Sequence, residues 1–201
     1  MTNFSTDADL LKWEPNLFHE IREYGQLGLE HQCLVRGGDA SSRGRQVTTP
    51  TPRFKNTHPG HVIHLTAAGE RFDGYYDIEY VVSESKLYVW PPLSTIRNLD
   101  YEIHTFDRQH EEALWALLAR FGLLDHERIA TEDIGQWLLK YPQLQWASAA
   151  LVLATVYRSQ AAGGPADGAL MRKAEHYARV YEERVAKVRP AMKEGGERKD
   201  G

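Results

Sequence analysis

Three histidines, His58, His61 and His64, recur at every third position, a spacing that could gather imidazoles for metal chemistry on one helical face. Pro59-Gly60 lies between the first two and opposes a helix. On a strand, His61 and His64 point to opposite faces. The chain has no HExxH run and one cysteine, Cys33, so it lacks the usual helical and Cys/His zinc patterns. We expect surface or barrel-rim histidines, with no metal and no cofactor. Neither a GxSxG elbow nor a glycine-rich phosphate loop is present, and no motif surrounds Cys33. The acid pairs Glu111-Glu112, Glu132-Asp133 and Glu182-Glu183 sit among polar residues on helical stretches, as solvated faces do. No catalytic residue is expected.

Basic residues are the stronger lead. Arg36, Arg43, Arg45, Arg53 and Lys55 fall within Arg36 to Pro59, where cations outnumber acids five to one. Prolines, glycines and threonines make this stretch read as a long exposed loop or arm. It could contact a phosphate backbone by charge alone, be an ordinary surface loop, or order as an arm on a neighbouring subunit. A pI near 6.1 favours the last two.

Stepping outward, the elements that hold these residues divide the chain. Residues 1–35 offer Ser5, Thr6 and Asp7 as helix caps, then two short helices meeting at Pro15, the second ended by Gly25 and Gly28. Residues 36–106 hold the basic stretch and then short β-branched or aromatic runs: His61–Leu65, Tyr75–Val82, Lys86–Trp90 and Tyr101–Phe106. Ser83-Glu84-Ser85 suggests a hairpin, and Pro91-Pro92 a boundary. Four or five such strands fit a small SH3-like barrel or curled sheet.

Residues 107–190 read as a helical bundle. Asp107 caps a helix bearing Leu114, Trp115, Leu117, Leu118 and Phe121 and stopped by Gly122, and Thr131 caps one bearing Ile134, Trp137 and Leu138. A helix from Pro142 through Gln160, buried on most sides, precedes the breaker Ala161 to Pro165. The last helix places Leu170, Ala174, Tyr177, Tyr181, Val185 and Val188 on one stripe, a seam for packing or self-assembly. Residues 191–201 read as a mobile tail.

The bulk numbers suit this α+β reading. At 42% hydrophobic residues, 201 residues can bury a core, and Trp146–Tyr157 is too short to span a membrane. The opening residues lack a basic then apolar leader, and the single cysteine fits a reducing compartment, so the cytoplasm is expected. Five tryptophans and ten tyrosines supply the residue types that dominate interfaces.

Two passages resemble a known family. Leu170–Val188 (LMRKAEHYARVYEERVAKV) resembles the closing helix of head-to-tail connector proteins of tailed double-stranded DNA phages, through Lys173, Ala174, Glu175, Tyr177 and Tyr181. Ala8–Ile21 (ADLLKWEPNLFHEI) is similar to the start of related phage and prophage proteins, which continue through a Pro-Gly-led β segment, as at Pro59-Gly60, into helices. The resemblance implies a virion neck protein assembled in the host cytoplasm. It implies a homo-oligomeric ring, typically twelve-fold, joining portal to tail or stopper around the DNA channel, with non-specific contact to packaged DNA. Many members are short and nearly all-helical, whereas this chain carries a β module, so adaptor, stopper and tail-completion roles all stand. The rival reading is an SH3-like interaction module binding peptide or nucleic acid. An enzyme ranks last.

Overall fold

The computed structural model describes residues 3–24, 32–67, 72–121, 141–163 and 168–196. It divides into two compact units. One is a sheet with two short helices, Thr6–Glu23 and Glu30–Phe106; the other is helical, from Asp107 onward, and takes in residues 3–5. The expected boundary near residue 107 is where the chain divides.

In the sheet unit, α1 (Asp7–Trp13) begins after the N-cap Thr6, whose N–H donates to the Asp9 carboxylate at 2.9 Å. Pro15 separates it from α2 (Leu17–Tyr24), as its missing N–H and fixed φ require. The strands are β1 (Gln32–Thr48), β2 (Val62–Ala67), β3 (Phe72–Ser83) and β4 (Lys86–Thr105). All pairings are antiparallel, in the order β1-β4-β2-β3, and β3 also pairs with the start of β4. β4 therefore meets β3 through its first residues and β2 through its last, which curls the sheet as a small barrel requires.

Two boundaries differ from those read in the sequence. The basic stretch is not an arm. Residues 36–48 belong to β1 and pair along β4, from Arg36↔Glu102 to Thr48↔Lys86. Its Gly, Ser and Arg residues hide the alternation of a strand, because register shifts interrupt it five times. Lys86–Trp90 and all of Tyr101–Phe106 but Phe106 itself are likewise parts of one strand. Pro91-Pro92 does not end β4: the two prolines fall in the irregularity between Gly44↔Leu93 and Gln46↔Tyr88, where no cross-strand partner is lost to a missing N–H.

The barrel core gathers Val47, Phe54, Ile63, Leu65, Val89 and Ile103, all but fully buried. β2 is buried on both faces, so His61 and His64 are core residues, at 4% and 3% exposure, and not rim residues. α1 and α2 lie against the sheet. The buried Asp7 carboxylate accepts the Phe106 N–H at 3.0 Å, and Phe18 packs on Tyr75 and Phe106 at 5.8 Å from each.

The helical unit contains α3 (Asp107–Arg120), α4 (Gln143–Gly163) and α5 (Gly168–Gly196). α4 buries four consecutive residues, Ala147, Ser148, Ala149 and Ala150, as a helix covered on most sides must. Phe4, Leu114, Leu117, Leu144, Val185 and Val188 form the core between helices. The expected helix capped by Thr131, with Ile134, Trp137 and Leu138, lies outside the described residues, as do Gly25 and Gly28. Helix α5 runs on through Pro190 to Gly196, so residues 191–196 are helical rather than a loose tail. The helix formers Ala191, Met192, Lys193 and Glu194 follow the proline and carry the turn forward. Among the described residues, no helix is long and apolar enough to cross a membrane.

Candidate docking surface on the sheet

The three histidines do not share one face. His58 is exposed, and its N–H donates to His61 Nδ1 at 3.2 Å. His64 turns to the other face of β2 and stacks on Tyr75, with ring centroids 4.4 Å apart. Its Nε2 lies 2.5 Å from Asp73 Oδ1. Tyr75 in turn donates its hydroxyl to the Phe18 carbonyl at 3.1 Å, so α2 helps hold the His64 ring through its stacking partner.

Register explains what accompanies His64. Tyr75, His64, Glu102 and Arg36 are directly paired across all four strands, so their side chains share one face. Arg36 Nε meets Glu102 Oε1 at 2.7 Å, and His104 Nε2 lies 3.3 Å from Glu102 Oε2. One step along, Asp73, Thr66 and Asp100 form the next row. A hollow of about 320 Å³ opens here, lined by Arg36, His64, Thr66, Asp100, Tyr101 and Glu102. Its single guanidinium is already matched by Glu102, so the surplus charge is that of carboxylates. Anions would be poorly held; cationic groups would be favoured.

At the other end of the β1–β4 ladder, the β3–β4 hairpin presents a different surface. The Glu84 carbonyl accepts the Arg53 and Phe54 N–H groups at 2.6 and 2.8 Å, and the Ser85 carbonyl accepts the Thr49 N–H at 3.0 Å. Phe54, buried edge-on to Tyr101, anchors that segment. Arg53 and Lys55 are therefore exposed beside the turn on a pinned segment. On the outer face, Tyr80 pairs with Tyr88 and Trp90 with Asp77. Tyr80, Val82 and Trp90 are 63%, 59% and 52% exposed. Arg45 lies over the Trp90 ring at 5.2 Å and also pairs with Glu79; Lys86 lies over Tyr88 at 5.8 Å. Among the basic residues singled out by sequence, Arg45, Arg53 and Lys55 belong to this end and Arg36 to the hollow, while Arg43 lies in mid-strand between the pairs Ser42↔Ile96 and Gly44↔Leu93.

The aromatic face was not picked out from the sequence, although a signal existed. Tyr80 and Val82 alternate with Val81, and Tyr88 and Trp90 with Leu87 and Val89. Two paired strands apolar on both faces leave one face for something outside the barrel.

The α5 stripe is in place but inward. Leu170, Ala174, Tyr177, Val185 and Val188 are buried and Tyr181 partly so. Tyr177 stacks on Tyr157 of α4, and Tyr181 packs against the helical core. Burial pushes the Tyr181 hydroxyl above its usual pKa, with neighbouring Glu182 adding to the effect and Arg120 opposing it. This stripe packs within the unit.

A polar hub in the helical unit also escaped the sequence reading. The Ser5 hydroxyl lies 2.9 Å from His110 Nδ1 and 2.8 Å from the Ser148 hydroxyl, all three buried. It resembles a serine–histidine pair but is closed to solvent. Residues 105 and 143 positions apart carry no spacing signal. The acid pairs are solvated where described: Glu112 meets Arg108 at 3.3 Å on α3, and Glu182 meets Arg120 at 2.9 Å. Glu132-Asp133 lies outside the described residues. Compared with protein-family models, curated proteins and solved structures, the chain matches none.

Proposed function

We propose that this chain is a structural assembly subunit, a head-to-tail connector of a tailed double-stranded DNA phage. In this reading it works in the virion neck and forms a ring between portal and tail or stopper. The observation that carries it is the hairpin face. Two large aromatics and a valine, Tyr80, Trp90 and Val82, stand more than half exposed on a sheet whose other side is core. Exposed tryptophan and tyrosine beside arginine are the residue types that supply most binding energy at protein interfaces. The resemblance of Ala8–Ile21 and Leu170–Val188 to connector proteins supplies the kind of assembly. Helix α1, the Pro15 break and α5 fall on those passages. The chain acts by contact rather than by chemistry on a substrate.

Native mass spectrometry and negative-stain microscopy of the chain, alone and with portal protein, test this. A closed ring or a portal-bound ring is expected; a monomer in both conditions overturns it. The cation–aromatic pairs Arg45–Trp90 and Lys86–Tyr88 favour a second reading, a β module that stacks nucleic-acid bases. A labelled single-stranded oligonucleotide whose polarisation rises with the monomer would select it.

A further inference from the structure

We infer that the hairpin face of one copy docks into the acidic hollow of the next copy of this chain, head to tail. The inference rests on the assembly reading and supplies its contact.

Complementarity of charge and shape points to a second copy as the occupant. The hairpin end carries Arg45, Lys86, Arg53 and Lys55 against Asp77, Glu79 and Glu84. Burial, and then the Asp9 carboxylate, raise the pKa of Asp77 above the usual carboxylate range. The hollow is lined by Asp100 and Glu102 against Arg36, and Asp73 stands beside it, held on His64. Cationic and aromatic on one side, anionic and concave on the other, the two ends suit each other and not themselves. At about 320 Å³ the hollow admits one arginine or aromatic side chain, the kind of projection the hairpin offers.

Arg36↔Glu102 and Thr48↔Lys86 are at opposite ends of one ladder. A head-to-tail contact between them that is not returned by the same neighbour is heterologous, and repeats into a ring or a filament. A nucleic acid would be repelled by the carboxylates of the hollow, so it could use only the hairpin. A partner of another sequence would need no complementary pair on this chain.

Two full-length variants test the inference. Y80S/K86E spoils the hairpin and keeps the hollow; Asp100→Lys, at an exposed position, spoils the hollow and keeps the hairpin. Thermal melts confirm folding, and Val82→Glu replaces the first variant should it melt low. Native mass spectrometry is run on each variant, on wild type and on an equimolar mixture. Wild type should assemble, and less so as salt rises. Each variant alone should lose assembly by at least ten-fold in concentration. The mixture should give a one-to-one heterodimer and nothing larger, since one productive contact survives. A mixture that stays monomeric overturns the inference, as does wild-type-like assembly by either variant; the assembly reading survives both. Wild type monomeric up to its solubility limit, whether or not it binds an oligonucleotide, overturns head-to-tail docking. A ring that forms only on portal protein would spare the assembly reading.

Discussion

Tyr177 of α5 lies parallel to Tyr157 of α4, with 6.0 Å between ring centroids and 7° between planes. Lys173 completes the arrangement, its ammonium 4.9 Å from the Tyr157 ring centroid and donating to the Tyr157 hydroxyl at 3.3 Å. The stripe predicted from heptad-like spacing is therefore a seam inside the unit. Tyr177→Asp places an unpaired charge in it and should cost several kcal/mol. Tyr177→Phe keeps the stacking and should stay within about 1 kcal/mol of wild type. Urea melts of both variants check this; equal midpoints for Asp and Phe would show that the seam contributes nothing.

Asp77 makes stability depend on pH in an unusual direction. Its folded pKa is raised, by burial first and by Asp9 second, so the folded state holds the proton longer than the unfolded chain does. Stability is then greatest below the unfolded carboxylate pKa of about 3.9 and declines as pH rises through the folded value. Asp77→Asn removes the penalty. At neutral pH it should raise stability by roughly 0.5 kcal/mol, a modest figure because the group is only half buried. The gain should vanish below about pH 4. A variant that gains as much at pH 3 as at pH 7 would rule out the charge as the cause.

Gly37 is required by a neighbour rather than by its backbone. A Cβ there would enter the Tyr101 ring, 2.7 Å from Cε1, and Tyr101 is buried in the barrel core. Gly37→Ala should cost about 1–3 kcal/mol through this overlap. Gly44 tests the contrast: its φ is +60°, and nothing lies within 4 Å of the added atom. Gly44→Ala should cost about 1 kcal/mol from conformation alone. The order of the two melting temperatures is the check.

Local chemistry made some elements readable and hid others. Pro15 and Thr6 act within one helical turn, so α1 and α2 could be read from sequence, as could α4 and α5 from their periodicity. The β3–β4 hairpin followed from its serine turn, where Ser83 Oγ accepts the Ser85 N–H at 3.3 Å. β1 could not be seen, because its strand character is conferred by β4. Glycine, serine and arginine become strand there through pairing with residues tens of positions away, from Arg36↔Glu102 to Gly44↔Leu93. The hollow was hidden for the same reason: His64, Glu102 and Arg36 meet only through register. Burial of His64 follows from Tyr75 and Asp73, neither of which its sequence neighbourhood announces.

The Ser5 hub yields a ranked prediction. Ser5 Oγ stands between His110 Nδ1 and Ser148 Oγ, so its loss removes two contacts and loss of the Ser148 hydroxyl removes one. All three residues are buried, where a polar group deprived of its partner costs about 1–3 kcal/mol. Ser5→Ala should therefore destabilise more than Ser148→Ala, by a further 1 kcal/mol or so. In a domain of this size that separates the melting temperatures by about 2–4 °C. Phe4, buried beside it among Leu114 and Leu117, supplies a control. Phe4→Leu shortens an apolar anchor and should cost about 1 kcal/mol while leaving the hub untouched. Its effect should add to that of Ser148→Ala, whereas Ser5→Ala and Ser148→Ala, sharing one bond, should fall short of additivity. Should Ser148→Ala prove the costlier change, the serine from α4 and not the one near the N-terminus would be the centre of the network.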